Sequence, residues 1–248
     1  MQSLWRYPVK SMQGESCGEL GFGVNGVEGD RRFGVLDLGS GTIVSAKRDG
    51  RLLEAQAALV DGDLRVTLPS GQQFEPGDVL DECLTHWLGR PVRLVDSASY
   101  GVATFESPED FEHDDSRLEQ WEGIAGSFVD DSALHVLAAS DLRRLECERP
   151  DLQWEVRRFR PNVVIEEDPG TWSSLEPGQR LLVGEVEIEY LRGCKRCVMT
   201  TRPQREDLER QLDILRHVIK EHDNTVGERA NVVRPGVVRV GDPVSLVG

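Results

Sequence analysis

No stretch of this chain approaches the roughly 18 to 20 uninterrupted apolar residues that a membrane-spanning helix needs. The opening Met1-Gln2-Ser3-Leu4-Trp5-Arg6-Tyr7-Pro8 also lacks the basic start and apolar run of a secretory leader. Cysteine is scarce: there are five in 248 residues, and Cys17, Cys83 and Cys147 lie far apart with no common spacing. An odd, scattered set argues against a disulfide framework and leads us to expect a soluble protein of a reducing compartment, the cytoplasm, with no membrane partner. Positive charge is in deficit, with 29 Lys and Arg against 44 Asp and Glu, a formal net charge of −15. That sign excludes the broad basic footprint with which proteins hold nucleic acid. Repeats, low-complexity tracts and the motifs of flavin, haem or iron–sulfur binding are absent too.

Against this background the remaining two cysteines stand out, in Gly193-Cys194-Lys195-Arg196-Cys197-Val198-Met199-Thr200-Thr201. Thiolates are the nucleophiles and soft-metal ligands of proteins, and cationic neighbours favour the charged form of a thiol. A C-x-x-C pair alone leaves several chemistries open. Zinc would need Cys194 and Cys197 to join His217 and His222, but 19 residues separate Cys197 from His217 and both histidines fall in a helical pattern. A thioredoxin-like pair needs its first thiol at a helix N-terminus, whereas Thr200, Thr201 and Pro203 suggest an extended or turning chain.

The pattern along the chain predicts a mainly β (α+β) protein of two β-barrel-like parts with a few peripheral helices. Leu64-Arg65-Val66-Thr67-Leu68 alternates as a half-buried strand, and Phe33–Leu38 with Thr42–Ala46 around Gly39-Ser40-Gly41 predicts a hairpin. Val79, Leu80, Cys83, Leu84 and Trp87 recur at helical spacing over Asp78–Leu88, with Asp78 as N-cap, which places Cys83 in the core. Ala133–Leu137 predicts a strand, Ser140 a cap opening the next helix, and Gly184–Tyr190 a strand running into the cysteines. Leu208, Leu212, Leu215, Val218 and Ile219 mark a helix from Glu206 to His222, and strand, turn and strand close the chain over residues 237–247. Composition divides the chain into residues 1–96, an acidic connection at 97–126, and 127–248. The acidic run Glu109–Asp115 is expected to be a solvated face or loop.

Tyr7-Pro8-Val9-Lys10-Ser11, Asp30-Arg31-Arg32 and Phe159-Arg160-Pro161-Asn162 each join a cation to a residue that shapes the backbone or adds a donor, as an anionic ligand requires. Singly, each is an ordinary surface feature. In this order, with Cys194-Lys195-Arg196-Cys197 and Val240-Gly241-Asp242-Pro243-Val244, they resemble the MOSC domain preceded by its N-terminal β-barrel partner. The resemblance spans essentially the whole chain and points to the branch of the mitochondrial amidoxime-reducing component and its bacterial relatives.

The resemblance implies a molybdenum cofactor, molybdopterin with its metal, held with Cys197 as metal ligand and catalytic thiolate. By motif position, Lys10, Ser11, Arg31, Ser132, Arg160, Asn162 and Arg196 would surround the cofactor, although the family pattern carries a proline where this chain has Ala133. Ser45-Ala46-Lys47-Arg48 also resembles a family segment near the site. The implied activity is reduction of N-hydroxylated or N-oxide-type small molecules, with electrons from an external electron-donor protein. Two alternatives stay open: a sulfur carrier or transferase that uses a cysteine persulfide, and a cofactor-binding module without turnover. Pyridoxal phosphate, associated with some relatives through a fused domain, has no lysine motif here.

Overall fold

The computed structural model describes residues 1–166, 175–205 and 207–247. Strands dominate, and the α-helices are Asp78–Leu88 (α1), Ala139–Glu148 (α2), Val156–Phe159 (α3) and Leu212–Glu221 (α4). The largest sheet has eight strands, in the order Val244–Leu246, Arg180–Val183, Val186–Lys195, Thr225–Arg234, Leu134–Ala138, Val163–Ile165, Ser3–Arg6 and Glu15–Cys17. Its pairings are antiparallel apart from Leu134–Ala138 with Val163–Ile165. A parallel pair needs a crossover, and α2 and α3 supply it.

Alternation along Val186–Lys195 puts Val186 and Ile188 into a core with Leu4, Val136 and Val163, while Glu187 meets Arg180 on the other face. Leu64, Val66 and Leu68 fill a second core under α1 with Val9, Val35, Leu80 and Leu84. Here the hairpin turn is Asp61-Gly62, both residues at positive φ, the geometry that matches a two-residue loop to the twist of its strands. A third core, Leu145, Trp154, Phe159, Ile214 and Val218, seats α2 and α4.

The first residues are shared between regions: Ser3–Arg6 and Glu15–Cys17 lie in the large sheet, and Glu19–Gly23 pairs with Gly236–Arg239. The acidic connection carries a hairpin of its own, Thr104–Pro108 with Leu118–Glu122, whose Phe105 and Trp121 pack together.

Several expectations change in detail. Phe33–Asp37 takes Val92–Asp96 as its ladder partner, and Thr42–Ala46 only hooks on through the Leu36–Ile43 bridge and a few backbone bonds. Gly77, at φ 148°, precedes α1 in the cap position, Asp78 lies in the first turn, and Val79 is exposed. Helix α2 starts directly from its strand with Ala138 as cap and no side-chain cap bond, so Ser140 lies inside it. Helix α4 begins only at Leu212. Before it, Gln204 and Leu208 bridge each other and the Gln211 N–H reaches the Thr201 carbonyl, backbone bonding that a longer helix would consume. Glu206 lies outside the described residues.

Candidate active site

One cleft gathers the segments that were singled out far apart in the sequence. Lys10, Ser11, Arg31, Ser132, Arg160 and Asn162 all line it, as do Arg196 and Cys197 at the end of the long strand Val186–Lys195. Seven Lys or Arg residues and two acidic ones, Asp30 and Asp130, line this space. In a chain of net charge −15, that inversion of sign makes the cleft the place where an anion is attracted.

The backbone is bent to build it. Six non-glycine residues among those described have positive φ, and three of them, Ser11 (68°), Arg31 (46°) and Arg160 (55°), line the cleft. Each costs about 1–2 kcal/mol relative to ordinary backbone, and such outliers persist where surrounding structure enforces them. Tyr7 is the common anchor. It is fully buried, its N–H donates to Asp30 Oδ1 (2.8 Å), and the Arg31 and Arg160 guanidinium groups lie 4.4 and 4.2 Å from its ring centroid. Burial pushes its phenol up to about 12, so it stays protonated.

Arg160 donates from Nη1 to the Met12 carbonyl (2.6 Å), while its buried Nη2 has no partner. Burial, then Arg31, pulls this guanidinium down to about 10, which still leaves it charged at neutral pH. Arg196 donates to the Phe159 carbonyl and to Cys194 Sγ (both 2.8 Å), and its Nε is likewise buried and unpartnered. Native proteins rarely bury guanidinium donors without an acceptor. Arg90 and Arg202 each carry a buried unpartnered Nε away from the cleft, but two such donors together on the lining of one cationic cleft fit an anionic ligand with several oxygens.

Lys10 is buried, donates to the Phe128 carbonyl (2.8 Å) and Asp130 Oδ1 (2.7 Å), and lies 3.9 Å from the Phe105 ring centroid. Burial lowers its ammonium to about 8, with Asp130 opposing the shift. Lys47 reaches the other Asp130 oxygen at 3.3 Å and lies 4.1 Å from the Trp121 ring centroid. Its burial, which works against the charge, is outweighed by Asp130 and then Cys197, and the ammonium is raised. The two lysines hold the Asp130 carboxyl well below the carboxylate range against its own burial. Arg48, by contrast, is bound to Glu106 in an ion pair.

The thiols part company. Cys194 is fully buried and accepts from Arg196, whereas Cys197 is half-buried and lines the cleft. A short 3-10 turn, Val198–Thr201, follows Cys197, so the chain turns here as expected, with no longer helix to poise a redox pair. Thr200 donates N–H and Oγ1–H to the Cys197 carbonyl and Thr201 Oγ1 donates to Val198, so these hydroxyls close the turn.

Arg158, one residue outside the noticed motif core, fixes that turn from below. Fully buried, it donates to the carbonyls of Gln153, Thr200, Arg202 and Glu209, and to Gln153 Oε1. Three further residues act on backbone. Asn162 accepts the His135 N–H and donates to the Trp5 carbonyl, and Ser132 Oγ donates to the Leu134 carbonyl. Ser11 Oγ accepts the Ala46 N–H. His135, overlooked in the sequence, is buried beside Arg196; burial and then the cations Arg196 and Arg229 hold it neutral.

The acidic run also does more than face water. Asp114 pairs with Arg202 and Arg210, and Glu112 with Arg216 on α4, which latches this loop across the segment after Cys197.

Residues 1–80 match the MOSC N-terminal beta barrel domain and residues 125–245 match the MOSC domain. The chain belongs to the MOSC-domain proteins that carry this N-terminal barrel. Among curated relatives it is similar to mitochondrial amidoxime-reducing component 1 of Homo sapiens, 26% identical over 99% of this chain and 82% of that protein. It is also similar to mitochondrial amidoxime reducing component 2 of Rattus norvegicus, 25% identical over 98% of this chain and 82% of that protein. Among solved structures, the YuaD protein from Bacillus subtilis aligns over 98% of this chain and 92% of its own at 11% identity and TM-score 0.46. Among the described residues no helix is long and apolar enough to cross a membrane.

Proposed function

We propose that this protein is a molybdenum-cofactor oxidoreductase that reduces N-hydroxylated or N-oxide-type small molecules, with electrons from a separate donor protein. The observation that carries this reading is the pairing, in one cleft, of the Cys197 thiol with unpartnered buried donors on Arg160 and Arg196. A soft thiolate suits a metal already bound by sulfur, and the guanidinium donors suit the pterin's phosphate and polar edge. When bound, the cofactor supplies the two-electron chemistry that removes oxygen from nitrogen. The chain's own part is to hold and orient. Cys197 ligates, Arg160, Arg196 and Arg31 offset negative charge, Lys10 adds a cation, and Ser11, Ser132 and Asn162 keep the surrounding backbone in place. The five free cysteines support a reducing compartment, and the cytoplasm is our reading, although the similar curated proteins are named as mitochondrial.

A persulfide carrier would need an accessible thiol but has no use for two unpartnered arginine donors, so the site favours the cofactor. The test is elemental analysis of protein from a host that makes the molybdenum cofactor. Near-stoichiometric molybdenum is the expected result, and metal-free, folded protein would overturn the proposal.

Arg160→Ala is expected to lower the molybdenum content of purified protein several-fold while the protein still folds, with a lowered denaturation midpoint because the buried Met12 carbonyl loses its donor. The side chain's charge-assisted bonds to an anion are worth about 1.5–3 kcal/mol, and its structural part is one bond to the Met12 carbonyl and its packing on the Tyr7 ring. Unchanged occupancy would remove Arg160 from the cofactor.

The lowered Lys10 gives a pH signature. A lysine is cationic below its pKa, so attraction for a phosphate is full below about 8 and lost as pH rises through it. Cofactor release measured against pH is expected to quicken above that value. In Lys10→Met the step disappears, and a step that persists would assign it to another group.

A further inference from the structure

The finger-like set of two cysteines and two histidines divides in the structure. Cys197 faces the cleft, while His217 and His222 turn to Glu148. We propose that Glu148, His217 and His222 form a separate binding site for a divalent transition-metal ion, with Zn2+ the ion its ligand chemistry suits.

The geometry converges on one point. His217 Nε2 and His222 Nε2 lie 2.8 and 2.7 Å from the same Glu148 oxygen, Oε2, and all three atoms fall within 4.8 Å of one another. Zinc bonds of about 2.0–2.2 Å to nitrogen and oxygen place tetrahedral ligand atoms roughly 3.3 Å apart. Small side-chain shifts therefore open the cluster around an ion. Two imidazole nitrogens and one carboxylate, with a fourth position for water, are a known ligand set for this metal.

The surroundings favour a cation. Glu148 is the last residue of α2 and His222 the C-cap of α4, so two ten-residue helices bring their C-terminal ends, the negative poles of their dipoles, to the same place. Asp141 acts on His222 and Asp151 on His217, with Arg144 as the opposing charge near Glu148. The imidazoles are held in position: both side chains are about 90% buried, their rings lie 5.4 Å apart, and His217 packs 5.8 Å from Trp154. Glu148 is a third exposed, which provides the entry. A bound ion would join α2 to α4.

The test is titration of chelator-treated full chain with Zn2+ and with Co2+. We expect one saturable equivalent, a raised melting temperature with Zn2+, and visible Co2+ bands of a nitrogen and oxygen site without sulfur-to-metal charge transfer. His217→Gln and His222→Gln are each expected to weaken binding by about 100-fold or more, since even partners behind a ligand contribute about 10–100-fold. Glu148→Gln, close to isosteric, should weaken it as well should a histidine variant misfold. Exposed His113→Gln should leave binding unchanged. Absence of saturable binding, binding that survives His217→Gln and His222→Gln, or strong sulfur-to-cobalt bands would each overturn the proposal.

Discussion

Cys197→Ser is expected to remove turnover of N-hydroxylated substrates and most of the bound molybdenum, while leaving the urea midpoint where it was. The fold uses the backbone of this residue, through the two bonds that Thr200 makes to its carbonyl, and serine preserves both. Only the sulfur is lost. The drop in activity should exceed about 100-fold, because loss of residues that merely support a ligand already costs about 10–100-fold. Cys194→Ser should do less, since the buried Cys194 acts by accepting from Arg196 and a hydroxyl can still accept. Full activity and metal content in Cys197→Ser would assign the ligand elsewhere.

The second large effect is on stability. Arg158→Met should lower unfolding free energy by about 3–5 kcal/mol, because buried carbonyls that lose a donor cost about 1–3 kcal/mol each. The Thr200 and Arg202 carbonyls are buried, and those of Gln153 and Glu209 are partly so. Burial lowers this guanidinium to about 10, so it donates as a cation at neutral pH. Lysine should rescue little, because one ammonium cannot reproduce a planar fork that serves several carbonyls. Urea denaturation measures the loss, and a change below about 1 kcal/mol would contradict the clamp, since ordinary surface substitutions stay within about 0.5.

Arg158 also marks what the sequence could and could not convey. It directly precedes the Phe159-Arg160-Pro161-Asn162 motif, yet its partners lie five to 51 positions away, and no local pattern signals them. The strand Asp63–Thr67 and helix α1 were legible because burial follows a period of two or of 3.6. Local backbone competition was harder to see: Leu208 is buried as its helical spacing suggested, but it bridges Gln204 outside the helix. The cleft was visible as an ordered set of motifs. Its internal wiring was not, because Lys10 meets Asp130 and Phe105 only through the fold. The acidic run had no sequence signal for its arginine partners, which are 88 to 104 residues on.

The opening strand Ser3–Arg6 lies between Val163–Ile165 and Glu15–Cys17, and Glu19–Gly23 pairs with Gly236–Arg239. The amino group of Met1 itself donates to the Asp242 carbonyl, 241 positions away. Contacts of such sequence separation carry a loop-closure entropy before they give any return, so folding is expected to be slow and its completion to wait on distant partners. During synthesis Glu19–Gly23 is made long before the strand it pairs with. Until residues 236–239 leave the ribosome, Glu19–Gly23 has one strand edge unpaired, the kind of edge that invites association with other chains.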